Sequence, residues 1–160
     1  MRAAFLLLLA LLLLPASGQA KAWNGIDPGV STREEVVKRF GQPSKTLNVG
    51  GHEVLAYTGN SAIKGAAQAQ FRIDPQTGLV ERIDVFPGPV VDRDTVESSY
   101  GPPCTAAGEK NAPNCFQKKL TEDFRTYYFY PRLGMAVFFD DDGEKVQSFV
   151  FQPVKSARAP

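Results

Sequence analysis

The sequence predicts an α+β fold made of two tandem repeats. Each repeat is a helix followed by a three-stranded antiparallel meander, with the helices packed on one face of the sheet. Three observations carry this reading: a helix signature that occurs twice, an alternating hairpin pattern that occurs twice, and a length of 160 residues that holds both copies.

The first helix signature runs from Gly29 to Pro43 and the second from Pro89 to Pro103, 60 positions on. Val30, Arg33, Val36, Gly41 and Pro43 meet Val90, Arg93, Val96, Gly101 and Pro103, and Phe40 meets Tyr100. Ser31 or Thr32, and Asp92, are suited to cap a helix, because a side-chain oxygen there accepts an orphan backbone N–H. Glu35 stands three residues after Thr32, the spacing of a capping box. Val36, Val37 and Phe40 share one helical face, as do Val96 and Tyr100. Gly41 and Gly101 end each helix, and Pro43 and Pro103 prevent its continuation.

Strands follow each helix. Residues 52–58 and 124–130 form the first of each set. Hairpins follow over 71–87 and 137–153, turning at Asp74–Gly78 and Asp140–Glu144. Phe71, Ile73, Leu79, Ile83 and Val85, with Val137, Phe139, Phe149 and Phe151, are assigned to the helix-packed face. Gln70, Arg72, Arg82 and Asp84 then point the other way, as do Ala136, Phe138, Ser148 and Val150. The expected organisation is a signal peptide over 1–20, repeats over 21–87 and 88–153, and a flexible tail over 154–160.

The signal-peptide reading rests on Arg2, an apolar run from Phe5 to Leu14, Pro15, and the small-residue site Gly18-Gln19-Ala20. Ten apolar residues are too few for a ~30 Å hydrocarbon core, which takes about 20 in a helix. The expected location is periplasmic or secreted, with no integral membrane segment after cleavage. In an oxidising compartment Cys104 and Cys115 are expected to form a disulfide; a redox pair is the alternative, at a spacing far from Cys-x-x-Cys.

Without the first 20 residues, Lys+Arg and Asp+Glu number 17 each. A neutral balance argues against nucleic acid, whose phosphates call for a cationic excess. One histidine and two cysteines leave few ligands for zinc, and no metal or cofactor is expected. His52 lacks a Gly-x-Ser-x-Gly nucleophile to serve, so no catalytic residue is assigned. The acidic run Asp140–Glu144 is read as a solvated hairpin turn in preference to a calcium loop.

Aromatic residues are uneven: five lie in 21–90 and eleven in 91–160. The run Tyr127–Tyr130 places rings on both faces of one strand. Tyr127, Tyr130 and Phe138 are the candidate protein-binding residues, since aromatic side chains dominate interface energetics. The alternative is that these rings pack on the other copy or under the cysteine loop.

The pattern Gly-Val-Ser-Thr-Arg-Glu-Glu-Val-Val-x-x-Phe-Gly-x-Pro-Ser, then a tyrosine-bearing strand and a hairpin, resembles the BamE (SmpA/OmlA) domain of outer-membrane assembly. Two such units in one exported chain are also similar to the secreted β-lactamase inhibitor proteins. The resemblance implies work by binding a protein partner, not catalysis. It implies either a cell-envelope module or a secreted enzyme inhibitor. The lipid-bearing cysteine of BamE and the second disulfide of the inhibitors have no counterpart here.

Overall fold

Thr32 starts the first helix, α1 (Arg33–Phe40). Its hydroxyl accepts from the Glu35 amide at 3.2 Å while the Glu35 carboxylate accepts from the Thr32 amide at 2.8 Å, a complete capping box. Asp92 caps α2 (Arg93–Tyr100) by accepting from the Thr95 amide at 2.7 Å. Each helix buries one central valine completely, Val36 and Val96. Full burial of a valine contributes about 1.5–3 kcal/mol, which matters for helices of eight residues that would not persist alone.

The computed structural model describes residues 20–105 and 114–154. The expected signal peptide, the middle of the cysteine loop and nearly all of the expected tail lie outside the described residues. Each helix is followed by four strands. After α1 come β1 (Lys45–Val49), β2 (His52–Thr58), β3 (Ala66–Ile73) and β4 (Val80–Pro87). After α2 come β5 (Gln117–Leu120), β6 (Thr126–Tyr130), β7 (Met135–Phe139) and β8 (Val146–Phe151).

The expected fold class needs correction. The chain is mostly one antiparallel sheet of eight strands, ordered β1-β2-β3-β4-β8-β7-β6-β5, with two short helices. It is not a pair of helix-plus-three-strand repeats. Two strands escaped the sequence reading, β1 and β5, and both are sheet edges. Every residue of β1 is exposed, and so are Lys118, Lys119 and Leu120 of β5. With no buried side there is no apolar alternation to read. The sheet is continuous because β4 pairs with β8, with Ile83 opposite Phe151 and Val85 opposite Phe149.

Both helices lie on the same face of this sheet. Phe40 of α1 stacks on Phe71, with ring centroids 5.6 Å apart, and meets Tyr57 edge-on at 5.9 Å. Tyr100 of α2 meets Tyr130 at 5.9 Å and Phe149 at 6.3 Å. Two buried tyrosines tie the helix ends down: Tyr57 donates to the Gly41 carbonyl at 2.9 Å and Tyr130 to the Gly101 carbonyl at 3.2 Å. Burial raises the pKa of both hydroxyls. The core-face assignment holds except at Leu79. A bulge at Glu81 sets Ile73 opposite Val80, so Val80 is fully buried and Leu79 is only partly covered.

Cys104 and Cys115 form a disulfide. It fixes the passage from α2 to the edge strand, where the Cys104 amide donates to the Phe116 carbonyl at 2.8 Å and the Phe116 amide to the Pro102 carbonyl at 3.0 Å. Phe116 then stacks on Tyr128 with centroids 3.7 Å apart. Among the described residues, no helix is long and apolar enough to cross a membrane.

Candidate functional site

The helices cover one face of the sheet and leave the other open. The pairing register traces a row straight across all eight strands on that open face: Lys45, Ala56, Gln70, Asp84, Val150, Ala136, Phe129 and Gln117. Ala56 and Val150 in it are 5% and 4% exposed, although among the described residues no helix covers them. Taller neighbours stand on both sides and shade them.

On the β5–β8 side the neighbours are aromatic. Tyr127 of β6 is paired with Phe138 of β7, and the two rings stack at 4.9 Å with planes 16° apart. Phe129 stands two residues along β6, with the Lys119 ammonium 4.8 Å from its ring centroid. Ala136 leaves space between them. The result is a hollow of about 230 Å³, walled by these rings, Arg82, Lys119 and Val150. Each of the three rings is partly exposed. The Tyr127–Phe138 stack restrains both rings before any partner arrives, which lowers the cost of binding through them.

On the β1–β4 side the neighbours are charged. Arg82 grips Asp84 with two nitrogens, at 2.6 and 2.8 Å to the two carboxylate oxygens. Glu81 Oε1 lies 2.8 Å from His52 Nδ1 and 2.5 Å from Arg72 Nε. Both nitrogens are within ion-pair distance but neither makes an aligned hydrogen bond. The sole histidine therefore belongs to a charge cluster, with a carboxylate and a guanidinium as its company.

Of the three candidate binding residues, the structure brings Tyr127 and Phe138 together on the open face. Tyr130 is elsewhere: it is fully buried on the helix side, because position 130 has the same parity as Tyr128 in β6. Phe129 was missed, although its separation of two from Tyr127 was a usable signal. The turn at Asp140 is closed by its own backbone, the Asp140 carboxylate accepting from the Glu144 and Lys145 amides at 3.0 and 3.2 Å. Among the described residues, no group of three or more His, Cys, Asp or Glu side chains could hold a metal ion.

The fold and face define a class: a one-layer sheet backed by short helices, with a partly exposed aromatic and charged surface on the side the helices leave open. No family profile and no curated protein matches the chain. A solved structure, that of a cysteine-rich secretory protein from Staphylococcus aureus, aligns at 13% identity and a TM-score of 0.36. That alignment covers 77% of this chain and 43% of the other.

Proposed function

We propose that the chain is a non-catalytic, exported protein-binding module of the bacterial cell envelope, and that it holds its partner on the open sheet face. The observation that carries this reading is the stacked Tyr127–Phe138 pair beside Phe129, partly exposed above a hollow and flanked by Arg82 and Lys119. Tyrosine, arginine and other large rigid groups are the residues whose loss costs an interface most. The disulfide fits an oxidising compartment. The resemblance of residues 29–44 to BamE-type domains supports an envelope role.

Site-specific photocrosslinking in the native envelope tests the proposal. A photoreactive phenylalanine analogue is placed at Tyr127 or Phe138, with a control at exposed Lys38 on α1. The expected result is one discrete adduct from the open-face positions and none from the control. Equal labelling at all three positions, or none at any, refutes the reading. An adduct with a single soluble enzyme, whose activity falls on binding, replaces the envelope role with that of a secreted inhibitor.

A further inference from the structure

Six connections join neighbouring strands within the sheet, and all but one use glycine for the left-handed residue, Gly59 and Gly65 serving between β2 and β3. Gly50 and Gly51, Gly78, Gly134 and Gly143 have φ of +58° and +83°, +70°, +58° and +70°. Between β5 and β6 the corresponding residue is Phe124, at φ +60°. The turn is closed by the Thr121 amide on the Arg125 carbonyl at 2.9 Å and the Phe124 amide on the Thr121 carbonyl at 3.0 Å. This is the three-residue hairpin whose last loop position favours glycine. Phe124 is also 82% exposed. A bulky side chain there strains the backbone and gains no burial in return, and such outliers point toward function. The turn is otherwise rigid, with Asp123 paired to Arg125 at 2.7 Å.

A matching recess lies on the helix side of the same chain. Two eight-residue helices, each about 12 Å long, cannot cover eight strands spaced about 4.8 Å apart. Between α2 and Trp23, over the β4–β8 seam, they leave a groove of about 300 Å³. Val85, Val91, Tyr100, Phe149 and Phe151 line it. An apolar cavity of about 150 Å³ already accepts a benzene ring, so this groove seats a phenyl group. At its Tyr100 end the Lys21 ammonium stands 5.4 Å from the ring centroid. The tip that carries Phe124 carries Glu122 beside it, so knob and recess also differ in charge.

We propose that the chain pairs with a second copy of itself, Phe124 of each copy entering the α2–Trp23 groove of the other and Glu122 facing Lys21 across the contact. Each copy supplies one knob and one recess; the proposed arrangement is two-fold, both contacts forming at once so that neither knob nor recess is left over. The groove lies on the opposite face from the Tyr127–Phe138 surface, and the pairing does not rest on the open-face proposal.

Light scattering and sedimentation of the purified chain, expressed for export, test this over a range of concentrations. The parent is expected to shift from one chain mass to twice that mass as concentration rises. Phe124→Gly is expected to stay monomeric, with a melting temperature no lower than the parent. Glu122→Lys and Lys21→Glu are each expected to weaken association at least several-fold, and the double swap to restore it. A monomer at every concentration overturns the proposal. So does a Phe124→Gly chain that pairs like the parent, growth beyond two copies, or a double swap that fails to rescue.

Discussion

Replacing both Cys104 and Cys115 with serine removes the one covalent link between the end of α2 and the edge of the sheet. The two cysteines are 11 positions apart. In the chain-entropy treatment a closed loop of that length restricts the unfolded chain by about 9 cal/mol/K, or ~2.8 kcal/mol at 25 °C. For a chain of this size that corresponds to a fall in melting temperature of roughly 8–10 °C. The native state adds a second contribution. The staple holds Pro102, Cys104 and Phe116 in register, and Phe116 is 3% exposed against Tyr128 and Tyr130. If that segment loosens with the link gone, part of the burial of one phenylalanine is lost as well, and the destabilisation exceeds the loop term. Urea unfolding of the double variant beside the parent, followed by tyrosine fluorescence and circular dichroism, measures the difference. A loss below about 0.5 kcal/mol, less than a fifth of the loop term, refutes the reasoning, because the cross-link would then restrict the unfolded chain far less than its loop length requires.

Three further outcomes are expected. Tyr57→Phe and Tyr130→Phe each cost about 0.5–1.5 kcal/mol, since each hydroxyl satisfies a helix-terminal carbonyl; the larger loss is expected at Tyr57, whose bond is shorter (2.9 against 3.2 Å), and chemical denaturation resolves the two. Thr32→Ala costs about 1 kcal/mol and Thr32→Ser much less, because serine keeps the oxygen that accepts from Glu35; melting curves of the pair decide. Backbone amides of Gln76 and Thr77 hold the Asp74 carboxyl below its ordinary range, the Thr95 hydroxyl and amide do so for Asp92, and the Lys145 and Glu144 amides for Asp140. A folded-state pKa below the unfolded one contributes stability above the unfolded value and loses it as pH falls through the folded value. Melting temperature is therefore expected to hold down to the ordinary aspartate range, near 3.9, and to drop below it; the Asp→Asn triple variant should show a flatter acid limb.

The parts of the fold that announce themselves in the sequence are those where one residue type has a single physical use. Thr32 with Glu35, Asp92, and the Gly-x-Pro endings bracket both helices correctly, because capping and termination are local chemistry. Strands β3, β4 and β7 are legible because one side of each is more deeply buried and alternation survives. The edges β1 and β5 are illegible for the opposite reason: a strand wet on nearly every side carries no pattern. Their omission produced the three-stranded count and hid the single sheet. The open-face set was readable, since period two assigns Gln70, Arg72, Phe138 and Val150 together. Tyr130 was misplaced although the same rule excludes it: three residues from Tyr127 along one strand, it takes the opposite face, where it is fully buried. Phe124 carries no signal at all in sequence; its interest appears only as a backbone angle.

The β4–β8 seam also sets the order in which the molecule can assemble. Most of the sheet is made of hairpins whose partners are near in sequence and close in microseconds. The seam brings Ile83 against Phe151 and Val85 against Phe149, residues more than sixty positions apart, and only after both hairpin groups exist is there anything to pair. Such non-local closure slows folding, since its loop entropy is lost before its contacts form. Until it happens, β4 and β8 are each a bare apolar edge with Ile83, Val85 and Phe151 facing water, and each can be extended by a strand from another chain. The interval before the seam closes is therefore the time when a newly made chain is most exposed to aggregation through those edges.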